Sequence, residues 1–199
     1  MNTKQKILTE AVKLFAREGF DAVTVEMIAD AVGIKAPSLY KHYRSKREIF
    51  ESILSEMERR DAENAVESEL PLEPMELEEE EYEHVDIREF LEYCRKMFRY
   101  WTEDEFASSF RKMLTVEQYK NPEMGALYHQ YLGSGPLGYT RDIVGSDEAA
   151  LALYGPMYML YSVYDNTHEI TGTGSEDTIS IMLDDHLKNW YRIYGAEKK

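Results

Sequence analysis

The sequence has little cysteine and no long apolar run. Its 199 residues include one cysteine, Cys94, which excludes a disulfide framework and a zinc site built from cysteines alone. Charged residues recur throughout the chain, so we expect no signal peptide, no transmembrane helix and no membrane contact. Aromatic residues make up 12% of the chain, too many for a disordered polyanion with a net charge of −15. We therefore expect a folded, soluble, cytoplasmic protein.

The chain also lacks the motifs of common enzymes. His168 and Glu169 begin like a zinc-protease signature, but Gly172 stands where the second histidine belongs. The glycine-rich stretch 133–136 lacks the lysine of a phosphate-binding loop. We therefore expect no enzyme, no catalytic residue, no cofactor and no metal site.

Charge is distributed unevenly along the chain. Residues 1–60 carry a net charge of +2, whereas residues 61–199 carry −17. Residues 35–47 contain five lysines and arginines and no acid. A short basic segment on an acidic protein indicates a localised contact with a polyanion, although a solvated helix face would give the same pattern.

Apolar residues recur at helical spacing, and no segment alternates with the period of a strand, so the fold class is all-α. The segment 70–83, with two prolines and a block of glutamates, is expected to be a connector, and residues 133–136 and 171–174 are expected to be loops. The pattern predicts helices near residues 3–18, 25–32, 37–43, 45–65, 86–101, 106–117, 123–132, 149–167 and 176–194.

Residues 25–43 have the pattern of a helix-turn-helix. Ala29 is small where two helices cross, Gly33 allows the chain to reverse, and Leu39 supplies an apolar anchor from the second helix. The second helix of such a unit lies in the DNA major groove, where its first side chains meet phosphates and base edges. A role in binding double-stranded DNA follows from this pattern.

Residues from Ile7 to Leu54 resemble the N-terminal domain of the TetR (tetracycline-repressor-like) family. The resemblance implies a homodimeric repressor that a small molecule releases from a palindromic operator. It implies a helix-turn-helix DNA-binding domain of three helices at residues 1–46 and a larger helical ligand-binding and dimerisation domain at 47–199. The motifs that carry it are the capping Thr24, the pair Ala29 and Gly33, the sequence Leu39-Tyr40-x-x-Tyr43, and Ser45-Lys46.

The same resemblance assigns roles to individual side chains. Thr24 and Lys46 would bind backbone phosphates, and Tyr40 would contact the backbone or a thymine methyl. For Lys41 and His42 the alternative is simple exposure to solvent, and Tyr43 is expected in the core. The predicted DNA-binding residues are Thr24, Lys35, Ala36, Pro37, Ser38, Tyr40, Lys41, His42 and Lys46.

The remainder of the chain is rich in aromatic residues that fall on predicted helices. Buried tyrosine hydroxyls need hydrogen-bond partners, and a small-molecule effector is one candidate, although each ring taken singly fits a core role. Aromatic rings and glutamates would suit an effector that is apolar or cationic. The predicted ligand-binding residues are Tyr93, Phe98, Trp101, Phe110, Tyr128, Tyr131, Tyr158 and Tyr161.

The last two predicted helices carry apolar stripes that are expected to form the homodimer interface. The predicted interface residues are Tyr154, Met157, Ile179, Leu183, His186, Leu187 and Trp190. An alternative function stays open at this point: an acidic, all-helical protein-interaction module that keeps the fold without binding DNA. The acid-free segment 35–47 favours the DNA-binding regulator, because a module without DNA has no reason to keep it.

Overall fold

The structure is a computed structural model that describes residues 2–67, 85–120, 122–171 and 175–195. The described residues form helices and no strand, so the all-α prediction is confirmed. The predicted connector at 70–83 and the glycines of the predicted loop at 171–174 lie outside the described residues. The helices are α1 Thr3–Glu18, α2 Val25–Val32, α3 Ala36–Leu39, α4 Lys46–Glu67, α5 Ile87–Glu103, α6 Glu105–Glu117, α7 Pro122–Leu132, α8 Ser134–Val144, α9 Asp147–Thr171 and α10 Ser175–Tyr194.

Helix α8 corrects the prediction of a loop at residues 133–136. Pro136 falls in the first turn of α8, where its missing N–H leaves no helical hydrogen bond unmade. Thr140 and Ile143 of α8 are buried, and α8 packs against α9. Burial of this face therefore overrides the local preference of Gly133 and Gly135 for a turn.

The described chain divides into two compact units, each of which combines distant parts of the sequence. The N-terminal unit comprises residues 1–67 and 104–128, and the C-terminal unit comprises residues 68–103 and 129–199. Helix α6 thus belongs to the same unit as α1 to α4 and packs against α1, although more than thirty residues of chain separate it from α4. The functional boundary expected at residue 46 stays a prediction.

Helix α1 lies at the centre of the N-terminal unit. It begins with a capping box, in which the Asn2 side chain accepts from the main-chain N–H of Gln5 and the Gln5 side chain accepts from that of Asn2. Its apolar face, which includes Ile7 and Phe15, packs against α6, α2 and α4. Ring contacts join Phe15 to Phe20, with centroids 5.1 Å apart, and thereby attach the loop that follows α1.

Helices α9 and α10 form the main helix pair of the C-terminal unit. Trp190 is buried and donates its indole N–H to the carbonyl oxygen of Ala149 at 2.8 Å. One ring nitrogen of His186 lies 2.9 Å from the carbonyl oxygen of Leu153. Tyr154, which is half-buried, donates its hydroxyl to the carbonyl oxygen of Leu132 at 2.8 Å.

This packing revises the predicted dimer interface. The apolar stripe predicted for it faces the same chain, so these side chains have little surface to offer a second copy. The periodicity identified a buried face correctly, but it could not tell which partner covers that face. The predicted interface residues that are buried within one chain are Met157, Ile179, Leu183, Leu187 and Trp190.

The described residues contain neither a membrane-spanning helix nor a metal-binding cluster of side chains. None of their helices is both long enough and apolar enough to cross a membrane. Nor do they contain a cluster of three or more histidine, cysteine, aspartate or glutamate side chains placed to hold a metal ion.

Candidate DNA-binding site

The helix-turn-helix is built from α2, the turn after it and α3. Thr24 caps α2, because its hydroxyl oxygen accepts a hydrogen bond from the N–H of Met27 at 3.2 Å. Gly33 ends α2 in the left-handed conformation, with φ 79° and ψ 32°. The chain then reverses and places Leu39, which is fully buried, against the core of the N-terminal unit.

Helix α3 is shorter than the sequence predicts. It spans Ala36–Leu39, whereas the pattern predicted residues 37–43. Helical hydrogen bonds nevertheless continue beyond it, from the N–H of His42 and of Tyr43 to the carbonyl oxygen of Leu39. Tyr43 is buried as expected, so the turn after α3 is fixed by an aromatic anchor.

The predicted DNA-binding side chains fall mostly in this one segment. Tyr40 is 48% exposed, so its ring is accessible to an outside partner. Lys35, Pro37 and Lys41 are also exposed, as is Thr24 at the start of α2. The half-buried members of the predicted set are Ala36, Ser38, His42 and Lys46.

Only part of the basic segment 35–47 is available to an outside partner. Lys35 and Lys41 form no ion pair among the described residues, and neither does Arg44, which is exposed and which sequence reasoning did not assign to the site. Arg47 instead donates to both carboxylate oxygens of Glu123, at 2.7 and 2.5 Å. This contact lowers the pKa of the Glu123 carboxyl. The segment therefore offers fewer free cations than its composition indicates.

Two further lysines are bonded to main-chain carbonyl oxygens of the N-terminal unit. Lys6 donates from Nζ to the carbonyl oxygen of Val32 at 2.9 Å, at the C-terminal end of α2. Lys46 donates from Nζ to three main-chain carbonyl oxygens of the loop between α1 and α2. These contacts join residues more than twenty positions apart, so no local pattern could have predicted them.

The predicted ligand-binding residues are divided between the two units. Phe110 and Tyr128 belong to the N-terminal unit, and the other six belong to the C-terminal unit. Phe98 is buried there and stacks on Tyr161, with ring centroids 5.1 Å apart. Tyr158 contacts Tyr161 edge-on, with centroids 6.2 Å apart. These rings thus contact one another within the C-terminal unit.

Two predicted ligand residues make other aromatic contacts. Trp101 is buried and contacts Tyr131 edge-on, with ring centroids 6.4 Å apart. Tyr93 is half-buried and contacts the ring of Phe90, with centroids 6.3 Å apart. These contacts are typical of core aromatic clusters.

A small cavity lies among α5, α9 and α10 in the C-terminal unit. Phe98, Tyr164 and Leu183 line it, together with the charged side chains of Arg95 and Asp184. Its volume of about 20 Å³ is room for roughly one water molecule. Pockets for drug-sized ligands measure about 300–1,000 Å³, so this cavity would have to enlarge to admit an effector.

The helix-turn-helix segment matches a protein family. The family of bacterial regulatory proteins called tetR matches residues 7–53. The biofilm operon icaADBC HTH-type negative transcriptional regulator IcaR of Staphylococcus aureus is 46% identical over 48 residues, which are 24% of this chain and 26% of that protein. The counterpart in Staphylococcus epidermidis is 45% identical over 47 residues. The match thus spans about a quarter of these relatives' length.

Solved structures resemble the fold over nearly the whole chain. The fatty acid degradation regulator FadR of Bacillus halodurans covers 96% of this chain and 95% of its own, with a TM-score of 0.62 and 12% identity. NalD of Pseudomonas aeruginosa, the secondary repressor of the MexAB-OprM efflux pump, covers 96% of this chain and 95% of its own, with a TM-score of 0.51 and 17% identity. At these identities the likeness concerns the fold alone. Residues 7–53 thus match the tetR family of bacterial regulatory proteins, and the fold over nearly the whole chain is similar to that of these solved regulators.

Proposed function

We propose that this regulator is a homodimeric repressor, which binds a palindromic operator and leaves it when a small molecule binds. The observation that carries the DNA-binding part is a surface at the second helix of the helix-turn-helix, where Lys35, Lys41 and Arg44, unpaired among the described residues, surround the exposed Tyr40. Cations and a ring at this position suit phosphate oxygens and base edges. One such surface per protomer requires two half-sites, about 34–36 Å apart or a multiple of that.

The experiment is a selection from random duplex DNA with the purified protein at moderate salt and without added ligand. We expect enrichment of a two-fold symmetric sequence. We expect the logarithm of the affinity to fall with the logarithm of salt concentration with a slope as steep as about −5, since two protomers present six free cations. A triple variant with glutamine at positions 35, 41 and 44 should lose enrichment, whereas Lys188→Gln, which changes an exposed lysine on α10, should keep it. Failure of the unmodified protein to enrich any sequence, even at low salt, would overturn the proposal.

The homodimer interface that we propose uses the apolar side chains that the single chain leaves exposed. On α10, Met182 and Ile193 lie three helical turns apart and so share a face, and Ile181 is 60% exposed beside them. On α9, Met159 and Val163 are one turn apart and also exposed. Exposed apolar side chains in such groups are typical of subunit interfaces.

Sedimentation tests the dimer directly. We expect Ile181→Lys combined with Met182→Lys to convert a dimer into a monomer. The control is Val116→Lys on α6, where the side chain has a similar exposure of 46% but lies in the N-terminal unit. If both variants sediment like the unmodified dimer, the proposed interface is wrong.

The effector that we propose binds the C-terminal unit near the ring contacts of Phe98, Tyr158 and Tyr161. Aromatic faces suit apolar molecules and lipophilic cations alike. A thermal-shift panel of quaternary ammonium compounds, cationic dyes and neutral lipophiles separates the two classes. A compound that raises the melting temperature should also weaken operator binding, and a panel without any stabilising member would count against this class of effector.

A further inference from the structure

The loop between α1 and α2 is held by a charged side chain from α4. The Nζ atom of Lys46 lies 2.6 Å from the carbonyl oxygen of Phe20, 3.2 Å from that of Asp21 and 2.8 Å from that of Val23. The same Nζ lies 4.5 Å from the centroid of the Phe20 ring, within cation–π distance. An ammonium group has three N–H donors, and here all three are directed at main-chain oxygens.

A second side chain, which is negatively charged, also bonds to this loop. The carboxylate of Glu117, at the end of α6, accepts the main-chain N–H of Phe20 at 2.9 Å and the ammonium of Lys120 at 2.7 Å. Glu117 is 1% exposed, so its carboxylate is shielded from water, whereas the Lys120 side chain is 43% exposed. The ring of Phe20 also packs against Phe50 of α4, with centroids 5.4 Å apart. Both polar main-chain groups of Phe20 are thus bonded to charged side chains.

This loop leads directly to the start of α2. Val23 accepts from Lys46, and the next residue is Thr24, which caps α2 and lies exposed beside the predicted DNA surface. A phosphate oxygen could engage the Lys46 ammonium only by replacing one of its carbonyl partners. The family motif assigns Lys46 to a phosphate, but its geometry in this chain is that of a loop anchor.

We propose that Lys46 is a positioning residue of the DNA-binding surface rather than a phosphate ligand. Together with Glu117 it fixes the loop at residues 19–23 and thereby the place of Thr24. The inference rests on the proposed DNA binding, but its consequences for the loop itself hold in the free protein. It also explains why a basic residue in the acid-free segment 35–47 is half-buried.

The first test uses the duplex recovered by the selection described above and measures affinity over a range of salt concentrations. We expect Lys46→Gln to weaken binding by about tenfold, as the removal of hydrogen bonds to a charged group does, and to leave the salt slope unchanged. Lys35→Gln, which removes a free exposed cation, should reduce the slope by about 0.9 for each phosphate that the protein no longer neutralises. A similar reduction for Lys46→Gln would overturn the inference.

A double-mutant cycle tests whether Lys46 acts through Thr24. We expect the combined variant of Lys46→Gln and Thr24→Ala to bind only slightly more weakly than Lys46→Gln alone, because a displaced loop has already moved Thr24 away from the DNA. Independent phosphate contacts would instead give multiplied effects, and that result would also overturn the inference.

Hydrogen exchange provides a test that needs no DNA. In the free protein, Lys46→Gln should speed exchange at the amides of Phe20 and Met27, which the anchored loop protects, whereas Lys35→Gln should leave both unchanged. If Lys46→Gln leaves both amides as protected as in the unmodified protein, the anchor does not exist, whatever the protein binds. A failure to select any duplex, with exchange altered as expected, would refute only the proposed function.

Discussion

Two glycines with positive φ in the N-terminal unit offer a matched test of how this unit is built. Gly33, at φ 79° and ψ 32°, has no neighbouring atom within 4 Å of the place where a Cβ would lie. The substitution Gly33→Ala therefore isolates the cost of a left-handed backbone, about 1–2 kcal/mol. Gly33→Asn should cost less, since asparagine adopts this conformation more readily.

Gly19 differs from Gly33 in both backbone and surroundings. Its φ of 85° and ψ of 153° lie in a region that glycine almost alone adopts. A Cβ there would lie 2.9 Å from Oε1 of Glu117 and 2.7 Å from Nζ of Lys120. Alanine must therefore adopt a strained backbone, which costs about 1–3 kcal/mol, and also displace the buried Glu117 carboxylate and the exposed Lys120 ammonium that is bonded to it. Each disturbed hydrogen bond to a charged group adds about 1.5 kcal/mol or more, so we expect Gly19→Ala to cost at least about 3 kcal/mol.

The assay is urea unfolding of the unmodified protein and of the three variants, followed by far-ultraviolet circular dichroism at a common protein concentration. The expected order of destabilisation is Gly19→Ala, then Gly33→Ala, then Gly33→Asn. Equal costs for the two alanine variants would show that the pair of Glu117 and Lys120 beside Gly19 yields freely, and would refute the reasoning about a rigid anchor at this loop.

Three further predictions concern buried groups. Burial, with repulsion from Glu58, raises the pKa of the Asp61 carboxyl to about 7 from its ordinary value near 3.8. The folded protein thus holds the Asp61 proton more tightly than the unfolded chain does. The stability that protonated Asp61 contributes is therefore fully present below about pH 4 and is lost as the pH rises through 7. In urea titrations across that pH range, Asp61→Asn should flatten the decline of the unfolding free energy with pH. Near neutral pH it should stabilise the protein by about 2 kcal/mol, a value that allows for the partial exposure of Asp61. Trp190→Phe removes the indole N–H that donates to the carbonyl of Ala149 and should cost about 1 kcal/mol or more in thermal unfolding, where an unchanged midpoint would contradict the contact. Burial raises the pKa of the Cys94 thiol to about 12, so a thiol reagent should label it in urea but hardly in the native protein, and fast native labelling would contradict its burial.

Local patterns in the sequence were sufficient to predict most of the helices and the helix-turn-helix. The cap at Thr24, the left-handed end at Gly33 and the anchor at Leu39 depend on residues within a few positions of one another, so their spacing carries the structure. The buried stripe of α10 was predicted for the same reason, because burial follows the helical period. The same local logic failed for α8, where burial of Ile143 outweighs the turn preference of the preceding glycines.

The sequence by itself determined the all-α fold, the match of residues 7–53 to the tetR family and the segment proposed as the DNA-binding surface. The tertiary structure alone decided which cations of that segment are free, since Arg47 pairs with Glu123 and Lys46 turns to the loop after α1. It alone decided that Phe110 packs in a different unit from Phe98. The physical reason is shared by these cases: hydrogen bonds, ion pairs and ring contacts between residues distant in sequence depend on where the helices pack, and periodicity reports a face without naming what covers it.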